Sequence, residues 1–130
     1  MSKPSLKTSL AMLRATANFL DQGSANATLI FYDDSKPVSI DVDAKSSAKV
    51  LVLDLQKPCT KAIHENNIEL FSTNAGVAIK SGTVKWARLI NGEGVAVADI
   101  NVGTDIVLDN YDIVLGSSVK LDVIYLSPQL

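Results

Sequence analysis

The stretch GTVKWARLINGEGVAVADINVGTDIVLDN, residues 82–110, holds Trp86, the single tryptophan of the chain. Apolar and polar residues alternate on both sides of Asn91-Gly92. Asn-Gly between alternating runs is a hairpin signal, because a primed turn needs positive φ. Glu93 and Gly94 extend the loop, so a four-residue connection fits as well as a two-residue one. On the incoming strand Val84, Trp86, Arg88 and Ile90 share one face, and Thr83, Lys85, Ala87 and Leu89 share the other. The indole is either core of a structural hairpin or an exposed ligand platform. The strand carries no other aromatic, which favours the core.

Upstream, Leu6, Leu10, Leu13, Ala17 and Leu20 recur at spacings of four and three, the pattern of one helical face. Ser5 is placed to cap a helix over 5–22, and Gly23 to end it. Met12 and Phe19 lie off the stripe, so the helix has a second apolar surface. It either packs across a sheet of its own domain or docks on a neighbouring subunit. A domain of this size has difficulty burying both surfaces, so one of them is expected to meet another chain.

After Gly23 the period becomes two. ATLIFY (27–32) reads as a strand, DDSKP (33–37) as a turn, and VSIDVD (38–43) as a half-buried strand with one wet face. KVLVLDL (49–55) is apolar on both faces and is expected to be central. IELFS (68–72), GVAIK (76–80), TVKWARLI (83–90), VAVADI (95–100), DIVLD (105–109) and VKLDVIYL (119–126) follow. QKPCTKAIHENN (56–67) is irregular, and Pro58 marks it as a connection, with room for a helical turn. The predicted fold is mainly β: an antiparallel two-sheet, jelly-roll-like sandwich with one N-terminal helix. Residues 1–130 read as one domain, with the sandwich body over 27–127. The expected core is Val38, Ile40, Val42, Leu51, Leu53, Trp86, Val95, Val97, Leu121 and Val123.

Composition narrows the functions. The 130 residues are 47% hydrophobic and 20% charged, a globular balance with one modest core. Net charge is −2 with no basic stripe, which argues against a nucleic-acid partner. No apolar run approaches the roughly 20 residues that span a bilayer, so no membrane partner is expected. Arg14 interrupts the apolar run after Lys3 and Lys7, unlike a signal peptide. Cys59 is the one cysteine, so neither an internal disulfide nor a multi-cysteine zinc site is available. Synthesis in a reducing cytoplasm fits, and the sequon at Asn26-Ala27-Thr28 then carries little meaning.

The candidate chemistry is sparse. Cys59 and His64 have the residue types of a nucleophile and base, with Glu65 or Asn66 to orient the imidazole, but their spacing matches no signature. Packing of Cys59 and exposure of His64 is the simpler reading. Carboxylates at Asp33-Asp34, Asp41, Asp43, Asp99, Asp105, Asp109 and Asp112 are oxygen donors for calcium, or a solvated face. Asp41-x-Asp43-x-Lys45 puts a cation where a calcium loop needs a ligand. Gly92 and Gly94 precede no helix, so they form no dinucleotide loop. No catalytic residue, cofactor or metal is expected.

Residues 82–121 resemble a family of small virion structural proteins of tailed phages and prophages, which carry a short N-terminal helix and a β-rich body. Its strand Gly-Thr-Ala-x-Trp-Phe-Arg-Ile is matched by Gly82, Thr83, Trp86 and Arg88, with Ala87 where Phe is usual and Ile90 one place past its Ile. Val102, Gly103 and Thr104 match its Val-Gly-Thr; Asp105, Val107, Leu108 and Asn110 resemble its Asp-Leu-x-Leu-Asn; Gly116 and Val119 match its last strand. These motifs specify strands and turns. The resemblance implies a non-enzymatic virion protein that self-associates and attaches to the capsid exterior, as decoration, or to the tail. Its partners would be copies of itself and major capsid or tail proteins, after synthesis in the bacterial cytoplasm. The candidate interaction residues are Leu6, Leu10, Met12, Leu13, Phe19 and Leu20. The competing expectation is a glycan- or receptor-binding module of a tail tip or fibre, which needs exposed aromatics from among Tyr32, Phe71, Trp86, Tyr111 and Tyr125.

Overall fold

The computed structural model describes residues 5–65, 67–103 and 106–126. Thr104 and Asp105 of the family-like segment, Asn66 and the last position of the expected body, 127, lie outside them. The chain is mainly β, with several small antiparallel sheets and one N-terminal helix.

Helix α1 spans Leu6–Leu20. The Ser5 side chain accepts from the Thr8 backbone N–H at 3.2 Å. Past the helix, the Asp21 N–H returns to the Asn18 carbonyl and the Gln22 N–H to that of Phe19. Gly23 then reverses the chain at φ +102°, a conformation glycine adopts without strain. Its buried positions are Ser9, Ala17 and Leu20. Of the expected stripe, Ala17 and Leu20 are buried and Leu10 and Leu13 half-buried, while Leu6 is 38% exposed and Ser9 is buried beside the stripe.

The largest sheet has four strands in the order β2-β1-β7-β8, where β1 is Thr28–Tyr32, β2 Lys49–Asp54, β7 Trp86–Ile90 and β8 Ala96–Asn101. All its pairs are antiparallel. The other ladders join β3 (Thr60–Ile63), β4 (Ile68–Leu70) and β11 (Ile124–Leu126); β5 (Gly76–Val77) and β10 (Ser118–Val119); β6 (Gly82–Thr83) and β9 (Asp112–Ile113). One hydrophobic core joins them. It takes Leu29 and Phe31 from β1, Leu51 and Leu53 from β2, Ala87 and Leu89 from β7, Ile68 and Leu70 from β4, Ile124 from β11 and Leu20 from the helix.

Several expected strands are corrected. VSIDVD is not a strand, and Val38 is 101% exposed. Ser39 captures this segment instead: its hydroxyl accepts from the Asp41 N–H at 3.1 Å, and its carbonyl accepts from the Val42 N–H at 3.1 Å. A serine that bonds nearby backbone competes directly with a ladder. Beside Val38, the expected core residues Val42, Val95 and Val123 are exposed, and Ile40 and Val97 are half-buried. Leu51, Leu53, Trp86 and Leu121 are buried.

β2 ends the sheet order and is not central; its burial comes from the β5 region, where the Ile79 N–H reaches the Val50 carbonyl at 2.9 Å. The irregular 56–67 segment contains β3, a strand with a register shift between Thr60 and Ala62. The described part of DIVLD forms only a bridge, Val102 with Ile106. VKLDVIYL is broken between β10 and β11, and TVKWARLI between β6 and β7. The second break turns Val84 into the main core, off the face of Trp86.

Candidate functional site

The hairpin of β7 and β8 exists, but positive φ falls at Gly94 (+84°) and not at Asn91-Gly92. The Gly94 N–H returns to the Asn91 carbonyl at 3.0 Å, and the Asn91 side chain accepts from the Glu93 and Val95 N–H groups, both at 3.0 Å. The Asn91 amide donates to the Phe19 carbonyl near the end of α1, at 3.3 Å. Gly92 permits a backbone-to-backbone approach: a Cβ there would lie 2.0 Å from the Ala25 carbonyl oxygen. Asn91 and Gly92 thus join the hairpin tip to the chain around the helix end.

The second face of the sheet answers the tryptophan question. Strand alternation turns Ile30, Tyr32, Trp86 and Arg88 away from the main core. Tyr32 pairs directly across from Trp86, and their rings stack at 4.5 Å. Trp86 is 1% exposed, so its ring offers no free face to a ligand. Its indole N–H donates to Asp34 Oδ1 at 2.8 Å. Arg88 lies 5.3 Å from the Trp86 ring centre and directly opposite Asp99 across the β7–β8 ladder.

Arg88 Nε donates to Asp99 Oδ1 at 2.7 Å and Nη2 to Oδ2 at 3.1 Å. Nη2 also donates to the Val42 carbonyl at 2.9 Å. The hydrogen bond that Arg88 donates to Asp99 raises the Arg88 pKa above its ordinary value, and burial raises that of the Tyr32 hydroxyl. Asp34 and Val42 both belong to the 33–48 loop. The cluster is therefore a clamp that fastens this loop over the sheet, with its polar groups paired among themselves. The sequence signal for it was an Arg on the tryptophan face and an Asp on the returning strand.

Cys59 and His64 are not brought together. The Cys59 thiol is buried against α1, with its sulfur 3.7 Å from the Ala17 carbonyl oxygen, and its N–H donates to Asp21 at 2.9 Å. Burial, reinforced by Asp21, pushes the thiol pKa up to about 12. His64 is exposed and sits 2.8 Å from Glu69, whose carboxyl it holds below the usual range. Glu65 is exposed. Among the described residues no group of three or more His, Cys, Asp or Glu side chains is placed to hold a metal. No helix among them is long and apolar enough to cross a membrane.

Several large apolar side chains stand outside, among the exposed charges. Of the six candidate interaction residues, Leu6 and Met12 (55%) are exposed, Leu10, Leu13 and Phe19 are half-buried, and Leu20 is in the chain's own core. A groove of about 480 Å³ runs along residues 107–123. Val107 (72% exposed), Val114 and Val123 open onto it, with Asp109, Asp112 and Asp122 among the lining residues. Sequence reading missed this groove. The signal available was a valine next to an aspartate in each of its three parts: Asp109 two residues from Val107, Asp112 two from Val114, and Asp122 beside Val123.

No protein-family model, curated protein or solved structure matches the chain.

Proposed function

We propose that this chain is a non-enzymatic structural protein of a tailed-bacteriophage virion. In this reading it is a self-associating, jelly-roll-like β-sandwich attached to the capsid exterior or to the tail. The resemblance of residues 82–121 supplies the class. The observation that carries the reading is the division of chemistry in the fold. The polar side chains nearest to a site, Arg88, Asp99, Asp34 and Asn91, are bonded to one another, to the Trp86 indole or to backbone, while Leu6, Met12, Val107, Val114 and Val123 stand exposed. Apolar surface on a fixed scaffold suits contact with other protein subunits. A glycan module needs an exposed aromatic platform; Trp86 and Tyr32 are buried against each other, Phe71 and Tyr111 are half-buried, and Tyr125 stands exposed on β11.

The test is to purify particles from the bacterium that encodes the chain, to look for it by mass spectrometry, and to label intact particles with an antibody against it. Labelling on the head or the tail is the expected result. Particles that lack the chain refute the reading.

A further inference from the structure

We propose that the first half of α1 of one copy docks in the 107–123 groove of the next, joining copies head to tail. The inference rests on the self-association proposed above and names its two surfaces.

The helix provides the first. It is anchored to its own body through Ser9, Ala17 and Leu20, and meets β4 and β8. Leu6, Leu10 and Arg14 follow at i, i+4 and i+8, each step advancing about 40° around the axis, and Lys7 lies about 100° from Leu6. These four side chains occupy one arc. Leu6, Lys7 and Arg14 are exposed and Leu10 is half-buried. The arc is two leucines edged by two cations.

The groove provides the second. Its walls are apolar at Val107, Val114 and Val123, and its aspartates, Asp109, Asp112 and Asp122, outnumber Lys120, the cation among the described lining residues. Asp112 accepts from the Thr83 hydroxyl. Asp109 and Asp122 are exposed. No residue of α1 lines the groove of its own chain.

The occupant of such a groove must bring apolar side chains and positive charge together. α1 carries that complement with no acidic residue in its own sequence. Lys3, Lys7 and Arg14 precede residue 21, and all fourteen acidic residues lie from Asp21 onward. Each copy is thus a basic helix on an acidic body, and charge complementarity of this kind fixes register and partner choice. An amphipathic helix laid in a groove is read through i and i+4 anchors, here Leu6 and Leu10. Because the two surfaces differ, the contact is heterologous and repeats from copy to copy.

The test uses the full chain and two charge reversals at exposed positions, Lys7→Glu with Arg14→Glu, and Asp109→Lys with Asp122→Lys. Circular dichroism checks that each variant is folded, and sedimentation at several salt concentrations reads association. The parent is expected to self-associate most at low salt. Each double variant should associate roughly tenfold more weakly or worse. Mixed together, the two should co-assemble in alternation, since the reversed helix of one meets the reversed groove of the other and the unchanged helix meets the unchanged groove. A chain with all four substitutions should self-associate again. The proposal is overturned if either double variant associates like the parent, if mixing and the fourfold reversal both fail to restore association, or if the parent is monomeric at every salt concentration. It is also overturned if Lys7→Glu with Arg14→Glu abolishes binding to vesicles of anionic lipid and leaves self-association unchanged. Particle labelling judges the proposed function separately: a chain found on particles yet monomeric in solution removes this inference alone.

Discussion

Removing Asp99 should destabilise the protein more than removing the whole Arg88–Asp99 pair. The side chains of Arg88 and Asp99 are 7% and 10% exposed, so neither charge is well solvated. Asp99→Ala leaves a guanidinium buried with one remaining acceptor, the Val42 carbonyl. Breaking a buried pair in this way costs about 3–5 kcal/mol, because the surviving charge keeps its desolvation cost. A domain of this size is stable by roughly 5–15 kcal/mol, so the variant should still fold, with a Tm lower by roughly 10–20 °C. Arg88→Met with Asp99→Leu removes both charges and fills the space with apolar atoms, an exchange that is often close to neutral. The double variant should therefore lose about 2 kcal/mol or less, the residue being the Val42 bond and the contact with Trp86. Urea unfolding followed by the fluorescence of Trp86 measures all of these in one cycle, since the indole lies 5.3 Å from the guanidinium. A loss below about 1 kcal/mol for Asp99→Ala, or a double variant as unstable as the sum of the singles, would refute the buried-clamp reasoning.

Gly92→Ala and Gly94→Ala should separate close approach from backbone strain. A Cβ at Gly92 would lie 2.0 Å from the Ala25 oxygen, whereas one at Gly94 meets open space but sits at φ +84°. Thermal melts should show Gly94→Ala losing roughly 1 kcal/mol and Gly92→Ala clearly more, with protection from hydrogen exchange lost first around Phe19–Ala25; equal effects would contradict the docked hairpin tip. Cys59 should resist alkylation in the folded chain at pH 8, and the rate measured by mass spectrometry should rise steeply with urea. Its thiol pKa is raised to about 12, so the associated stability is fully present below the ordinary thiol value and is lost as pH rises from about 9 toward 12. Stability that increases over that interval would contradict the burial.

The hairpin was legible because alternation and turn chemistry agree there, and each strand is long enough to express period two. The 38–43 segment shows the limit of the same rule. Its alternation is cleaner than that of the real strands, yet Ser39 closes a local turn and Val38 is left outside. Side-chain-to-backbone bonding leaves no trace in a hydrophobic period, so pattern alone gives the wrong state. β3 was hidden for the opposite reason, since Thr60–Ile63 follows Pro58 and carries a register shift that blurs its period. The burial of Trp86 was expected because its strand carries no other aromatic, yet Val84, read as sharing its face, packs in the main core, and the partners of the indole were not legible. Tyr32 and Asp34 lie more than fifty residues away in sequence and meet the indole only through the β1–β7 pairing.

The Asn91-Gly92 pair carries the same lesson to the surface. Read locally, it is a turn; in the fold, the turn's positive φ is at Gly94, and the pair serves a contact near the helix end. That contact has a consequence for association. Asn91, Gly92 and Gly23 fix the end of α1; toward its start Ser9 is buried, while Leu6 and Met12 stand uncovered. A helix held nowhere would lose conformational entropy on docking. Anchoring limits that entropy loss while keeping Leu6, Lys7 and Arg14 accessible. A weakened hairpin tip should therefore weaken self-association as well as stability, although Gly92 lies in neither docking surface. If Gly92→Ala lowered the melting point but left association unchanged at temperatures where the chain is folded, the hairpin tip would be a stabilising contact alone, and the helix would owe its docking geometry to something else.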